Sequence, residues 1–188
     1  MNFENEDCAT RSRATPTIRW CQSGGSKSVV FDHEKKGLTF VATSDGISGE
    51  DWDKVHELAV EIVNADDVES EVHRSQLLSY LDQLERKYGE LPSILATRAD
   101  YVEQLEIKEE MLTRAYMLAS TFQDAGNQLN VAHSLAELYI EEFQDPTEGK
   151  VWLERFGKQL EQTKETGYLE DYQRLRISIG RISGQAED

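Results

Sequence analysis

Apolar residues forty positions apart constrain this chain more than any other feature. Val55, Leu95, Leu135 and Leu175 each hold the inward position of a helical pattern, and four residues beyond them stand Ala59, Ala99, Tyr139 and Ile179. Residues i and i+4 share one face of a helix, so each recurrence marks an amphipathic helix of the same kind. A constant interval predicts equal units, each a helix and its return, stacked in chain order.

Local signals fill in the helices between these marks. Ser48 to Asp51 is an S-x-x-D start signal, and Trp52, Val55, Leu58, Ala59 and Ile62 follow at steps of three and four, predicting a helix over about 50–65. Asp66 and Asp67 place negative charge at the positive end of a second helix, which runs to about Tyr88 on a stripe of Leu77, Leu78, Leu81 and Leu84 and is closed by Gly89. Pro92 opens a third, with Leu95, Ala96, Ala99 and Val102 inward. Further helices are predicted at about 107–124, 127–143, 147–165 and 168–182, separated by Gly126-Asn127, Asp145-Pro146 and Gly167. The expected fold class is all-α: an array of antiparallel helical hairpins, about seven helices, over residues 46–188.

The first quarter of the chain is different. Residues 1–28 show no periodicity and end in Ser23-Gly24-Gly25-Ser26, so a disordered tail is expected. Val29-Val30-Phe31 and Leu38-Thr39-Phe40-Val41, with Gly37 between them, predict a short β-hairpin over 29–45. Two strands are marginal alone. The hairpin is expected to dock on the helices or to pair along its open edge with a second copy, which would make a homodimer. Cys8 and Cys21 both fall in the tail, so neither a disulfide nor a zinc site is expected. Met1 to Thr10 is acidic and polar where a signal peptide would be basic and then apolar, and no run approaches the roughly 18 apolar residues of a membrane span. A cytoplasmic location is expected.

Charge narrows the partner. The net charge is -16, and residues 1–45 balance six Lys/Arg against six Asp/Glu, whereas residues 46–188 set fourteen against thirty. The whole excess lies on the helices. Such a surface repels nucleic acid and anionic membrane and speeds encounter with a basic protein segment.

Two neighbouring helices carry one pattern, Ala115-x-x-Leu118-Ala119-x-x-Phe122 and Ala132-x-x-Leu135-Ala136-x-x-Tyr139. Small residues beside large ones let antiparallel helices approach closely while an aromatic fills the gap between layers. In these residues the chain resembles the tetratricopeptide family, whose first helix carries Leu, a small residue and Tyr, and whose second carries a small residue and then an aromatic. Leu135, Ala136 and Tyr139 match the first helix and Trp152 the second, best over residues 130–164. Glu148 holds the second helix's small position, with Gly149 one residue late, and Leu160 replaces the closing proline. The resemblance implies a helical-hairpin array over about 50–183 that binds a peptide or helix in a groove lined by successive first helices, without enzyme activity. With residues 130–142 as a first helix, the groove candidates are Asn130, Ser134, Glu137 and Glu141, with Arg98 and Asp100 one repeat earlier. The opposite pairing phase stays open.

Catalytic patterns are missing. His33, His56, His73 and His133 have no repeated partner, and Asp53-x-x-His56 lacks the second copy and extra carboxylates of a di-metal bundle. Ser26 and Cys21 stand where a phosphate loop ending at Lys27 needs glycine. There is no nucleophile elbow and no dinucleotide fingerprint. No catalytic residue, cofactor or metal is expected. Arg174 and Arg181 share a helix face and are expected to meet acidic residues of the same stack, or else of a second copy, and Trp52, Trp152 and Tyr172 to pack in the core. The leading functional expectation is a non-enzymatic interaction module binding a basic or amphipathic segment of another protein. A second is a dedicated neutralising protein, an immunity protein or secretion chaperone for a basic toxin or effector. A third is a metal-dependent helical-bundle enzyme with His56 or His73 among its ligands.

Overall fold

In the computed structural model, which describes residues 43–185, the chain forms seven helices packed in sequence order: α1 (Gly49–Asn64), α2 (Asp67–Tyr88), α3 (Pro92–Ala99), α4 (Leu105–Thr121), α5 (Ala125–Glu137), α6 (Pro146–Thr163) and α7 (Leu169–Gln185). A π-helical turn, Leu138–Glu142, continues α5. The expected tail (1–28) lies outside the described residues. So does the expected β-hairpin (29–45) but for its last three residues, which form a turn where Gly46 N donates to Thr43 O.

Capping chemistry sets the helix starts. Ser48 accepts from Asp51 N, Asp66 from Val68 N and Glu69 N, Asp124 from Asn127 N, and Asp145 from Thr147 N and Glu148 N. Each satisfies amides that a helix start leaves without partners. Pro92 and Pro146 occupy first-turn positions that need no amide hydrogen. Helix ends turn in left-handed backbone at Gln123 (φ 55), Gln144 (φ 51) and Lys164 (φ 58).

Among the boundaries that differ from expectation, two have a clear local cause. α3 stops at Ala99, because Asp100 N and Tyr101 N bond back three residues to Thr97 O and Arg98 O and tighten its last turn. Val102 therefore lies beyond the helix, and Tyr101 takes the buried position. The break before α5 falls at Gln123 and not at Gly126-Asn127, since the Asp124 cap draws both residues into the first turn.

Adjacent helices pack antiparallel, and the four interval residues all lie on odd helices: Val55 on α1, Leu95 on α3, Leu135 on α5 and Leu175 on α7, none more than 6% exposed. The odd helices themselves begin at residues 49, 92, 125 and 169, so the core residue keeps the interval while the element lengths vary. The backbones of successive odd helices come close from α3 onward, α3 to α5 and α5 to α7, whereas α4 and α6 meet through side chains, Tyr116 edge-on to Trp152 at 5.1 Å between ring centroids. The stack is therefore tighter along its odd side.

Apolar burial divides in two. One core joins Ile47, Val55, Leu58 and Ile62 with Leu77, Leu81 and Leu84 of α2 and with Ile94 of α3. The other runs from Leu95, Ala96 and Ala99 of α3 through α4, α5 and α6 to Leu175 and Ile179 of α7. α3 thus serves both, and every residue in it except Arg98 is buried. A polar link crosses the same region: Ser44 Oγ donates to Asp124 (2.8 Å), Asn127 Nδ2 donates to Asp124 (2.7 Å), and Ser93 N donates to Asp45 (2.8 Å).

Candidate functional site

α5 lies at the centre of the larger core, packed between α4 and α6 and reaching α3 and α7. Its apolar faces hold Leu129, Val131, Ala132, Leu135 and Ala136, all buried. One polar stripe remains, Asn130, Ser134, Glu137 and Glu141, at steps of four, three and four. Asn130 Oδ1 accepts from the Tyr168 hydroxyl at 3.1 Å, and Ser134 Oγ donates to Asn130 O within the helix at 3.3 Å. Glu137 and Glu141 both accept from the Arg174 guanidinium of α7. Arg174 Nη2 also lies 3.7 Å from Asp171 Oδ1. Arg174 therefore meets acids of its own stack.

Asp100, at the end of α3, faces the same cluster. It keeps an exposed surface, yet burial in a recess dense with protein pushes its carboxyl up to about 6; Lys108 and His133 pull against this and Glu137 adds to it. Burial also raises Glu141, with Arg174 opposing and Glu137 and Glu142 reinforcing. Burial acts to raise Glu137 as well, but His133 and Arg174 outweigh it and hold its carboxyl below the usual range. Arg98, the remaining candidate, is elsewhere. Its guanidinium donates to Asp82 (2.6 Å) and Glu85 (2.9 Å) and clamps α3 to α2.

The residue that sequence reasoning passed over is His133. It is 5% exposed, its ring held edge-on by Tyr168 (5.3 Å between centroids) and tilted against Phe156 (5.0 Å). Its Nε2 lies 3.4 Å from Glu137 Oε1 and 3.9 Å from Asp171 Oδ2. The signal in the sequence was His133-x-x-x-Glu137, one helix face, but Asp171 comes from another helix far along the chain and only packing unites the three.

Comparison with protein-family models, with curated proteins and with solved structures finds no match. Function rests on the geometry alone. Among the described residues no helix is long and apolar enough to cross a membrane.

Proposed function

We propose that the protein is a non-enzymatic interaction module, a tetratricopeptide-like array whose odd-helix side takes a basic or amphipathic segment of another protein. The observation that supports this most directly is the charge on that side. Glu137 of α5, Glu141 of its continuation and Asp171 of α7 gather about Arg174, and Asp100 at the end of α3 is within electrostatic reach of Glu137, His133 and Lys108. Negative charge exceeds positive even after the internal pairs are made. Elsewhere Lys54, Arg74, Lys87, Arg98 and Arg114 are each engaged with an acid of the chain, and thirty acids against fourteen cations over residues 46–188 leave the surplus negative. A cationic helix laid along this side would meet carboxylates at successive odd helices, as helix-in-groove partners do. Asp100, Asn130, Ser134, Glu137 and Glu141 are the contact residues of this proposal; Arg98 acts behind them by holding α3 in place.

The test is affinity capture from native lysate with the wild-type chain and with Glu141→Lys, a substitution at an exposed position. A basic partner held at low salt by the wild type, released at about 0.5 M salt where the Debye length is roughly 4 Å, and lost in Glu141→Lys is the expected outcome. Retention that is equal in both proteins and at both salt concentrations would overturn the proposal.

A further inference from the structure

The His133, Glu137 and Asp171 cluster is more than a stretch of acidic surface. A histidine and a carboxylate that merely pair do so through a hydrogen bond of about 2.7–2.9 Å. His133 Nε2 makes none: it is shut off from water, forms no hydrogen bond, and is aimed between two carboxylate oxygens on different helices. All three donor atoms lie within 4.8 Å of one another. The separations match a known requirement. A tetrahedral ion with bonds of about 2.0–2.2 Å to nitrogen and oxygen holds neighbouring ligands roughly 3.4 Å apart, and Nε2 stands 3.4 Å and 3.9 Å from its two carboxylate neighbours.

We infer that His133, Glu137 and Asp171 form a binding site for a divalent transition-metal ion of the zinc class, joining α5 to α7. One imidazole and two carboxylates suit such an ion in donor type and in charge, since two negative ligands and a neutral ring balance a dication. The ring is already oriented by Phe156 and Tyr168, so little ordering is needed on binding. Asp171 and His133 are buried while the Glu137 side chain is 36% exposed, so the site reaches solvent through Glu137. Arg174, in contact with Glu137 and 3.7 Å from Asp171, is the cation that a metal would compete with. The site shares Glu137 and Asp171 with the interaction surface, but zinc binding by the chain alone is read without any protein partner, so failure of one reading is distinguishable from failure of the other.

The experiment is calorimetric titration of the metal-stripped full chain with zinc chloride alone, repeated for Glu137→Gln, His133→Gln and Arg174→Gln. Glu137 is half-buried at the rim, so its substitution leaves folding intact even if loss of His133 disturbs the core; circular dichroism checks both. One saturable site per chain is expected, weakened on the order of a hundredfold by loss of either ligand. Removing the competing guanidinium in Arg174→Gln should tighten it by about tenfold, the effect of one like charge a few ångströms away in a partly wet site. Cobalt(II) should give the intense visible absorption of tetrahedral coordination with the wild type and lose it in Glu137→Gln. Absence of saturable binding, or an affinity that neither ligand substitution alters, would overturn the site and leave scattered surface carboxylates as the metal's only partners.

Discussion

An added methyl group at Gly149 would stand 2.7 Å from Ile140 Cγ1 and 3.5 Å from Ile179 Cδ1. Ile140 is itself 2% exposed and has no open space to swing into. Gly149→Ala sets a gain in helix propensity of about 1 kcal/mol against overpacking of about 1–3 kcal/mol. A net loss near 1 kcal/mol in urea unfolding is expected. Gly180→Ala, in α7 with no atom within 4 Å of the new carbon, is the control and should gain about 0.5–1 kcal/mol. A Gly149 variant as stable as the Gly180 variant would show that close packing is not what this position requires. The tetratricopeptide resemblance expects the small residue at position 148, where Glu148 stands, with Gly149 one residue late. The π-helical turn before α6 takes up about one residue more than an α turn, a shift of the same size. Residues whose role is local were legible in this way: Ser48 as a cap, Pro92 as a helix start, Trp152 as core. His133 was not, because its neighbours Asp171 and Tyr168 come from elements whose approach no local pattern encodes.

At the scale of elements, Asp51 shows how one first-turn acid can join two helices. Beyond its contact with Ser48 Oγ, it accepts from the Tyr80 hydroxyl, Lys87 Nζ and the Tyr88 hydroxyl, so the start of α1 is pinned to the second half of α2. Lys87 foremost, then Tyr88, hold its carboxyl well below the ordinary carboxylate range, against the effect of burial. A folded-state pKa depressed below the unfolded value of about 3.9 gives stability that is fully present above that value. It is lost as pH falls through the folded pKa. Asp51→Asn should therefore cost about 1.5–3 kcal/mol at pH 7, and its deficit against wild type should shrink once the pH drops below about 4. Denaturant unfolding at pH 7 and pH 3 checks this, and a deficit unchanged at pH 3 would mean that charge is not the source. The S-x-x-D start signal was plain in the sequence. Its reach to Tyr80 and Tyr88 was not, since that depends on how the return helix is rotated about its axis.

For the whole molecule, the division into two cores that meet at α3 decides how it should unfold. Leu81→Ala empties a fully buried site in the α1 and α2 core and should cost about 2–5 kcal/mol. Because α1 and α2 reach the rest mainly through α3, the Arg98 clamp and the Ser44 and Asp45 links, protection against hydrogen exchange should fall far more in α1 and α2 than in α5 and α6. An equal fall in all four helices would mean a single cooperative unit. Seven helices in sequential packing were readable because apolar periodicity is a property of each segment. The two-core arrangement was not, because α3 is buried on both sides and its eight residues do not say which neighbour takes which face. One feature of the joints bears on the stability of all this. Three helix ends turn through left-handed backbone at Gln123, Gln144 and Lys164, where a side chain costs about 1–2 kcal/mol that glycine would not. The fold therefore has headroom: its present sequence stands a few kilocalories below the ceiling that the same architecture could reach, and that reserve lies at exposed corners.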